Sequence, residues 1–182
     1  AWKIALAYLY MMPGTPVIYQ GSEVPMYGPG FPENQMLVDN TGAEPDLDDT
    51  FNKYSSLRDQ FKKFVNGDVS IIGRENGMTL YELSVDEEKI YVAINNDSKS
   101  NAVKLTDMSE DLQLRGLLHD DTIRQNNDGV HSVGLERESA EVFILQPNTG
   151  FNWSFIALVG VVFFLFIAGV IYLSVKQNKQ KK

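Results

Sequence analysis

Pro13-Gly14-Thr15-Pro16-Val17-Ile18-Tyr19-Gln20-Gly21-Ser22-Glu23-Val24-Pro25-Met26 is the stretch whose reading decides the fold. Pro13-Gly14 cannot continue the apolar helical run before it. Residues 16–19 are a short apolar run of β-favouring types, as expected for a strand covered on both faces. Gly21 then releases the backbone, and Glu23 stands just past the strand's carboxyl end. In parallel α/β architectures that edge is where substrates are handled, so the position of Glu23 says more than its identity.

Residues 1–12 before this stretch are apolar nearly all round, with Lys3 their only charge, and read as a buried helix. A signal-peptide core is the other reading of such a run, but strand residues follow where a small-residue cleavage site should be. The segment Gly14-Thr15-Pro16-Val17-Ile18-Tyr19-Gln20-Gly21-Ser22-Glu23 resembles the eighth barrel strand of the α-amylase family of glycoside hydrolases. The resemblance implies a (β/α)8 barrel whose catalytic Asp, Glu and Asp lie on strands four, five and seven, all before Ala1. A whole barrel takes about 250 residues. The 182 residues here would therefore hold its last strand and helix, and no catalytic residue.

The same resemblance implies that Gln20 and Glu23 line the sugar site from the strand's end. A structural hydrogen-bonding role for Glu23 is the other reading. Residues 27–49 lack periodicity and carry several Pro, Gly and Asn, so they read as a long loop. Family members often place Asp-Pro-x-Asn-Arg here. This chain has Phe31-Pro32-Glu33-Asn34-Gln35, which keeps Pro32 and Asn34 but loses the acidic and basic sugar contacts. Phe31 could stack on a pyranose face or anchor the loop on the barrel rim. Val38-Asp39-Asn40 imitates the family's seventh-strand motif but lacks its His-Asp continuation, and reads as a turn.

Asp48 and Asp49 precede Phe51, Tyr54, Leu57, Phe61, Phe64 and Val65, spaced as one helical stripe that stops at Asn66-Gly67. Arg58, Lys62 and Lys63 read as a solvated helix end that complements the dipole. From there the period becomes two. Residues 69–72, 78–85, 90–94, 102–105, 114–118, 130–135 and 140–145 read as seven strands of an antiparallel sandwich or open barrel. This resembles the β domain that follows the barrel in amylases. His119 and His131 have no partner at metal-ligand spacing and read as surface imidazoles. The acidic turns lack the spacing of a calcium loop and read as solvation. No metal or other cofactor is expected in this chain, which leaves any calcium requirement to the parent enzyme. With no cysteine there is no thiol nucleophile or thiolate metal site.

Residues 155–175 carry no charge over 21 positions, enough to cross a bilayer core of about 30 Å. Trp153 and Tyr172 stand at interfacial positions, and four of the 16 basic residues crowd the last seven places. This predicts a cytoplasmic basic tail and an extracellular body of net charge −12, which disfavours nucleic acid as a partner and leaves a neutral α-glucan acceptable. Gln146-Pro147-Asn148-Thr149-Gly150 also resembles the Leu-Pro-x-Thr-Gly sorting signal, which would join Thr149 to a cell wall through a sortase-type transpeptidase.

The expected fold class is thus α/β plus all-β: a terminal fragment of a (β/α)8 TIM barrel over residues 1–67, an antiparallel β-sandwich domain over 68–147, a linker over 148–154, a transmembrane helix over 155–175 and a basic tail over 176–182. The expected function is that of the C-terminal portion of an extracellular, membrane-anchored hydrolase of α-1,4-glucans with a retaining mechanism. A non-catalytic, membrane-tethered adapter built on the same fold is the alternative. A parallel strand without neighbours is expected to leave residues 1–64 open to proteases while those beyond Val69 resist.

Overall fold

The structure is a computed structural model that describes residues 2–19, 22, 45–148, 150 and 153–180. It divides into Ala1–Asn148 and Thr149–Lys182. In the first unit, helix α1 (Trp2–Met11) is followed by α2 (Pro45–Gln60), a short 3-10 helix (Lys62–Asn66) and eight strands. These are β1 (Asp68–Glu75), β2 (Met78–Val85), β3 (Glu88–Asn95), β4 (Asn101–Leu105), β5 (Leu112–Gly116), β6 (Thr122–Ile123), β7 (His131–Leu135) and β8 (Ser139–Pro147).

Six strands form one sheet in the order β1-β2-β3-β8-β5-β6, and β4 and β7 form a separate two-stranded ribbon. Every pairing is antiparallel. Alternation along the strands sends one set of side chains to each face of the sheet. Leu83, Ile90, Val92, Ile94, Ala140 and Val142 share a core with Ile4, Leu6, Ala7, Tyr10 and Met11 of α1 and the α2 stripe Leu47, Phe51, Tyr54 and Leu57. Met78, Leu80, Tyr91, Ala93, Leu114 and Phe143 pack with Val103, Leu105 and Val133 of the ribbon. The unit is a three-layer arrangement of helices, sheet and ribbon, so the middle strands β3 and β8 are covered on both sides.

A polar group in such a strand must find its partners inside. Asn95, wholly buried, donates from Nδ2 to the carbonyls of Lys99 (2.8 Å), Leu135 (3.3 Å) and Glu136 (2.8 Å). Its Oδ1 accepts from Asp97 N–H (3.2 Å) and Asn101 Nδ2 (3.1 Å), which ties the β3–β4 turn to the β7–β8 turn.

Four expectations need correction. Residues 15–19 belong to no strand, and Val17 is 82% exposed. A strand exists only by pairing, and no parallel partner stands among the described residues. The helix stop does fall where expected, for α1 ends at Met11 and Gly14 takes φ 110°, a conformation glycine adopts without strain. Second, α2 starts at Pro45, so Asp48 and Asp49 lie inside it; proline is well suited to a first helical position, where its missing N–H costs nothing. Third, Arg58 is not a solvated end. Its guanidinium donates to the carbonyls of Tyr10 (3.0 Å) and Met12 (3.1 Å) from Nη1, and to that of Gly14 from Nη2. It thereby caps the orphan carbonyls at the end of α1. Fourth, α1 and α2 bury their apolar faces on the sheet, so residues 2–11 and 45–64 are not an unpacked, digestible arm.

Strand limits also moved. The strand expected at 114–118 stops at Gly116, the last strand runs on to Pro147, and the two-residue β6 was not foreseen.

In the second unit α3 spans Trp153–Gln180. Its segment Trp153–Ile171 has a mean hydropathy of 2.8 and is long and apolar enough to cross a membrane.

Because Arg58 uses a planar fork on three carbonyls, Arg58→Ala is expected to destabilise the body by about 1.5–3 kcal/mol, and Arg58→Lys to recover little of it. Urea unfolding followed by circular dichroism measures both.

Candidate functional site

The residues predicted to line a sugar site, Gln20, Glu23, Phe31 and Asn34, lie outside the described residues. What the structure does place next to them in sequence is exposed apolar chain: Val17, Ile18 and Tyr19.

The strongest concentration of polar chemistry lies elsewhere, at Glu141. This residue interrupts the apolar run of β8 and is 1% exposed. Its Oε1 accepts from the N–H groups of Leu117 (3.1 Å), Leu118 (2.8 Å) and Val142 (2.9 Å). Its Oε2 accepts from His119 N–H (3.0 Å) and His119 Nδ1–H (2.7 Å). A buried carboxylate is tolerated only when donors replace its water, and here five do. The loop can fold so tightly because Gly116 precedes it: a Cβ there would stand 3.0 Å from Glu141 Cδ and 3.2 Å from Asp121 N.

The consequence is positional. Glu141 pins residues 117–119 into a loop whose Leu117 and Leu118 pack against the helix-facing core. Glu141 has no capacity left for proton transfer to a substrate. His119 lies mostly exposed, with its Nδ1 held 2.7 Å from the Glu141 carboxylate and its Nε2 edge turned away from that contact. It opens on a hollow of about 300 Å3 shared with Lys3, Lys53, Tyr54, Arg137 and Ser139. Burial, and secondarily the Glu141 charge, push the Tyr54 phenol up.

His131 corrects the surface reading. It is fully buried at the start of β7, and its Nε2–H donates to the Leu112 carbonyl at 3.0 Å. That bond joins ribbon to sheet. His131 Nδ1 meets no partner among the described residues. No motif marks Glu141, and the spacing of His131 pointed only to a surface imidazole. The available signal was an ionisable residue placed in a strand whose neighbours are apolar, which has to be partnered. Among the described residues no group of three or more His, Cys, Asp or Glu could hold a metal ion.

Residues 67–143 match the family described as Alpha-amylase C-terminal domain. The β module is accordingly an antiparallel β-sheet domain that matches the amylase C-terminal domain. A cyclomaltodextrin glucanotransferase from Geobacillus stearothermophilus is 29% identical over 170 residues, covering 85% of this chain and 21% of that protein. The crystal structure of an Anoxybacillus alpha-amylase superposes with a TM-score of 0.74 at 34% identity, over 82% of this chain and 33% of the amylase. The alpha-amylase of Geobacillus thermoleovorans, solved in complex with acarbose, gives 0.73 and 35% over 81% of this chain and 33% of its own. The chain thus spans a third or less of the relatives it matches.

Two outcomes test this description. Glu141→Gln keeps the shape but turns an amide N–H2 toward N–H donors, and is expected to cost about 3 kcal/mol, read as a lower urea midpoint. Burial and the hydrogen bond to Tyr81 push the Tyr8 phenol from 10.0 up to about 12, and burial also raises Tyr10, Tyr54 and Tyr91. A raised folded value favours the protonated form. The contribution of these groups is therefore complete below pH about 10 and is lost as pH rises through the folded values. Unfolding midpoints measured from pH 8 to 12 should fall above that point as phenolate absorbance rises.

Proposed function

We propose that this chain is the C-terminal portion of an extracellular, membrane-anchored α-amylase-like glycoside hydrolase acting on α-1,4-glucans such as starch and maltodextrin, by a retaining mechanism. The observation that carries the proposal is the reach of the likeness. It is not confined to the β module of residues 67–143, for the 34%-identical Anoxybacillus amylase aligns over 82% of the chain, which takes in helical residues before the sheet. Residues 1–67 are then the last part of a barrel, α1 and α2 its final helices, and the exposed Val17, Ile18 and Tyr19 a strand that pairs in the whole enzyme. The nucleophilic Asp, the acid–base Glu and the third carboxylate lie upstream, and Gln20, Glu23, Phe31 and Asn34 contribute to the glucan site from its rim. Any calcium belongs to that upstream part.

The anchor is α3, with the basic tail cytoplasmic. Its side chains from Phe155 through Ile171 are exposed apolar surface, which water does not favour and a bilayer core does. Wall attachment at Thr149 is the weaker reading. Gln146 and Pro147 pair with Gln113 and Leu112 in the sheet, and Asn148 N–H donates to Asp111 O at 2.7 Å, so residues 146–148 are engaged with the body and not free for a transpeptidase.

Soluble starch is the test substrate. The protein that extends this chain upstream should hydrolyse it with release of the α-anomer, and the purified 182 residues should not. Activity in the short form, or its absence in the long one, would overturn the proposal. For the anchor, the whole chain should float with phospholipid vesicles on a density gradient, while a version ending at Gly150 should stay at the bottom.

A further inference from the structure

The ribbon-facing stripe of β2 runs Met78, Leu80, Glu82, and that of β3 runs Ala93, Tyr91, Lys89. Both turn polar at the same end of the sandwich, beyond Leu105, where the ribbon stops. There the sheet and the segment after β4 enclose a cleft of about 510 Å3, within the roughly 300–1,000 Å3 usual for small-ligand sites. Glu82 and Lys89 form an ion pair of 2.9 Å, and the Glu82 side chain is only 18% exposed. Buried Tyr91 stands opposite Glu82 in the sheet and lines the same cleft. Half-buried Met108 and Leu112 supply an apolar wall, and Asp107 and Lys104 stand at the rim.

Solvation alone does not account for this arrangement, because an end-of-strand Glu placed only for solubility would be open to water. The charges lining the cleft are two acidic, Glu82 and Asp107, and two basic, Lys89 and Lys104, so neither an anion nor a cation is selected. A carboxylate with acceptor sites to spare beside an ammonium with donors to spare suits two adjacent hydroxyls, one donating and one accepting. The apolar wall suits a ring with C–H faces. We propose that this cleft binds an uncharged ring with vicinal hydroxyls, and that its ligand is a glucose residue of an α-glucan. The choice of glucan rests on the hydrolase reading above; the choice of a neutral diol rests on the cleft.

The probe is maltotriose, added up to about 10 mM to the full chain in a detergent without a sugar headgroup, with methionine methyls carrying 13C; a site of Kd near 1 mM would then be largely filled. The Met108 methyl should shift saturably and that of fully buried Met78 should not. Ser109→Trp, which fills the cleft from its rim, should abolish the response, and Glu82→Gln should weaken binding by about tenfold, a loss of about 1.4 kcal/mol. Ser98→Trp, on an exposed turn outside the cleft, should leave the affinity unchanged. A silent Met108 in a chain with an intact methyl spectrum, or a shift that survives Ser109→Trp, would overturn the proposal. Since the readout is binding by this chain alone, a silent Met108 leaves the hydrolase reading standing. Inactivity of the extended enzyme alongside a responsive Met108 would overturn that reading instead.

Discussion

Covering a sheet on both faces removes water from the middle of its central strands, and the body of this protein is arranged around that constraint. In β3 and β8 the apolar positions are satisfied by the helices on one side and the ribbon on the other. Two polar residues remain inside, Asn95 and Glu141, and each is fully engaged by backbone groups of neighbouring turns. They convert the cost of burying polarity into geometric instruction. Asn95 gathers the turns at one end of the sandwich. Glu141 shapes the loop that meets the helices, and Gly116 leaves the space for it.

The parts of the fold that depend on local pattern were readable. The α2 stripe at Phe51, Tyr54 and Leu57 and the alternation through Leu80 and Leu83 report which face of an element is covered, and strand β2 has the limits expected for it. Features that depend on a distant partner were not readable. Residues 16–19 have strand composition, but strand structure needs a neighbour. Arg58 looks like any basic residue near a helix end, and its acceptors lie 44 to 48 positions earlier. His131 and Glu141 are single polar letters in strands, which signals a need for partners but not which distant groups supply them.

The candidate site shows the same division. Gln20, Glu23, Phe31 and Asn34 came from resemblance to a family motif, and their stretch lies outside the described residues. The Glu82–Lys89 pair came from the opposite direction. Nothing in its sequence marks it, and only the sheet register, which puts Glu82 opposite Tyr91 and Ser84 opposite Lys89, brings the three side chains to one cleft.

The shared core between α1, α2 and the sheet bears on how the β module can be recombined. A chimera that transplanted residues 68–147 without α1 and α2 would strip Leu83, Ile90, Val92 and Val142 of their cover and leave the Glu141 loop without a docking surface. The helices and the β module behave as a single inheritable block, which a crossover in domain shuffling should not divide.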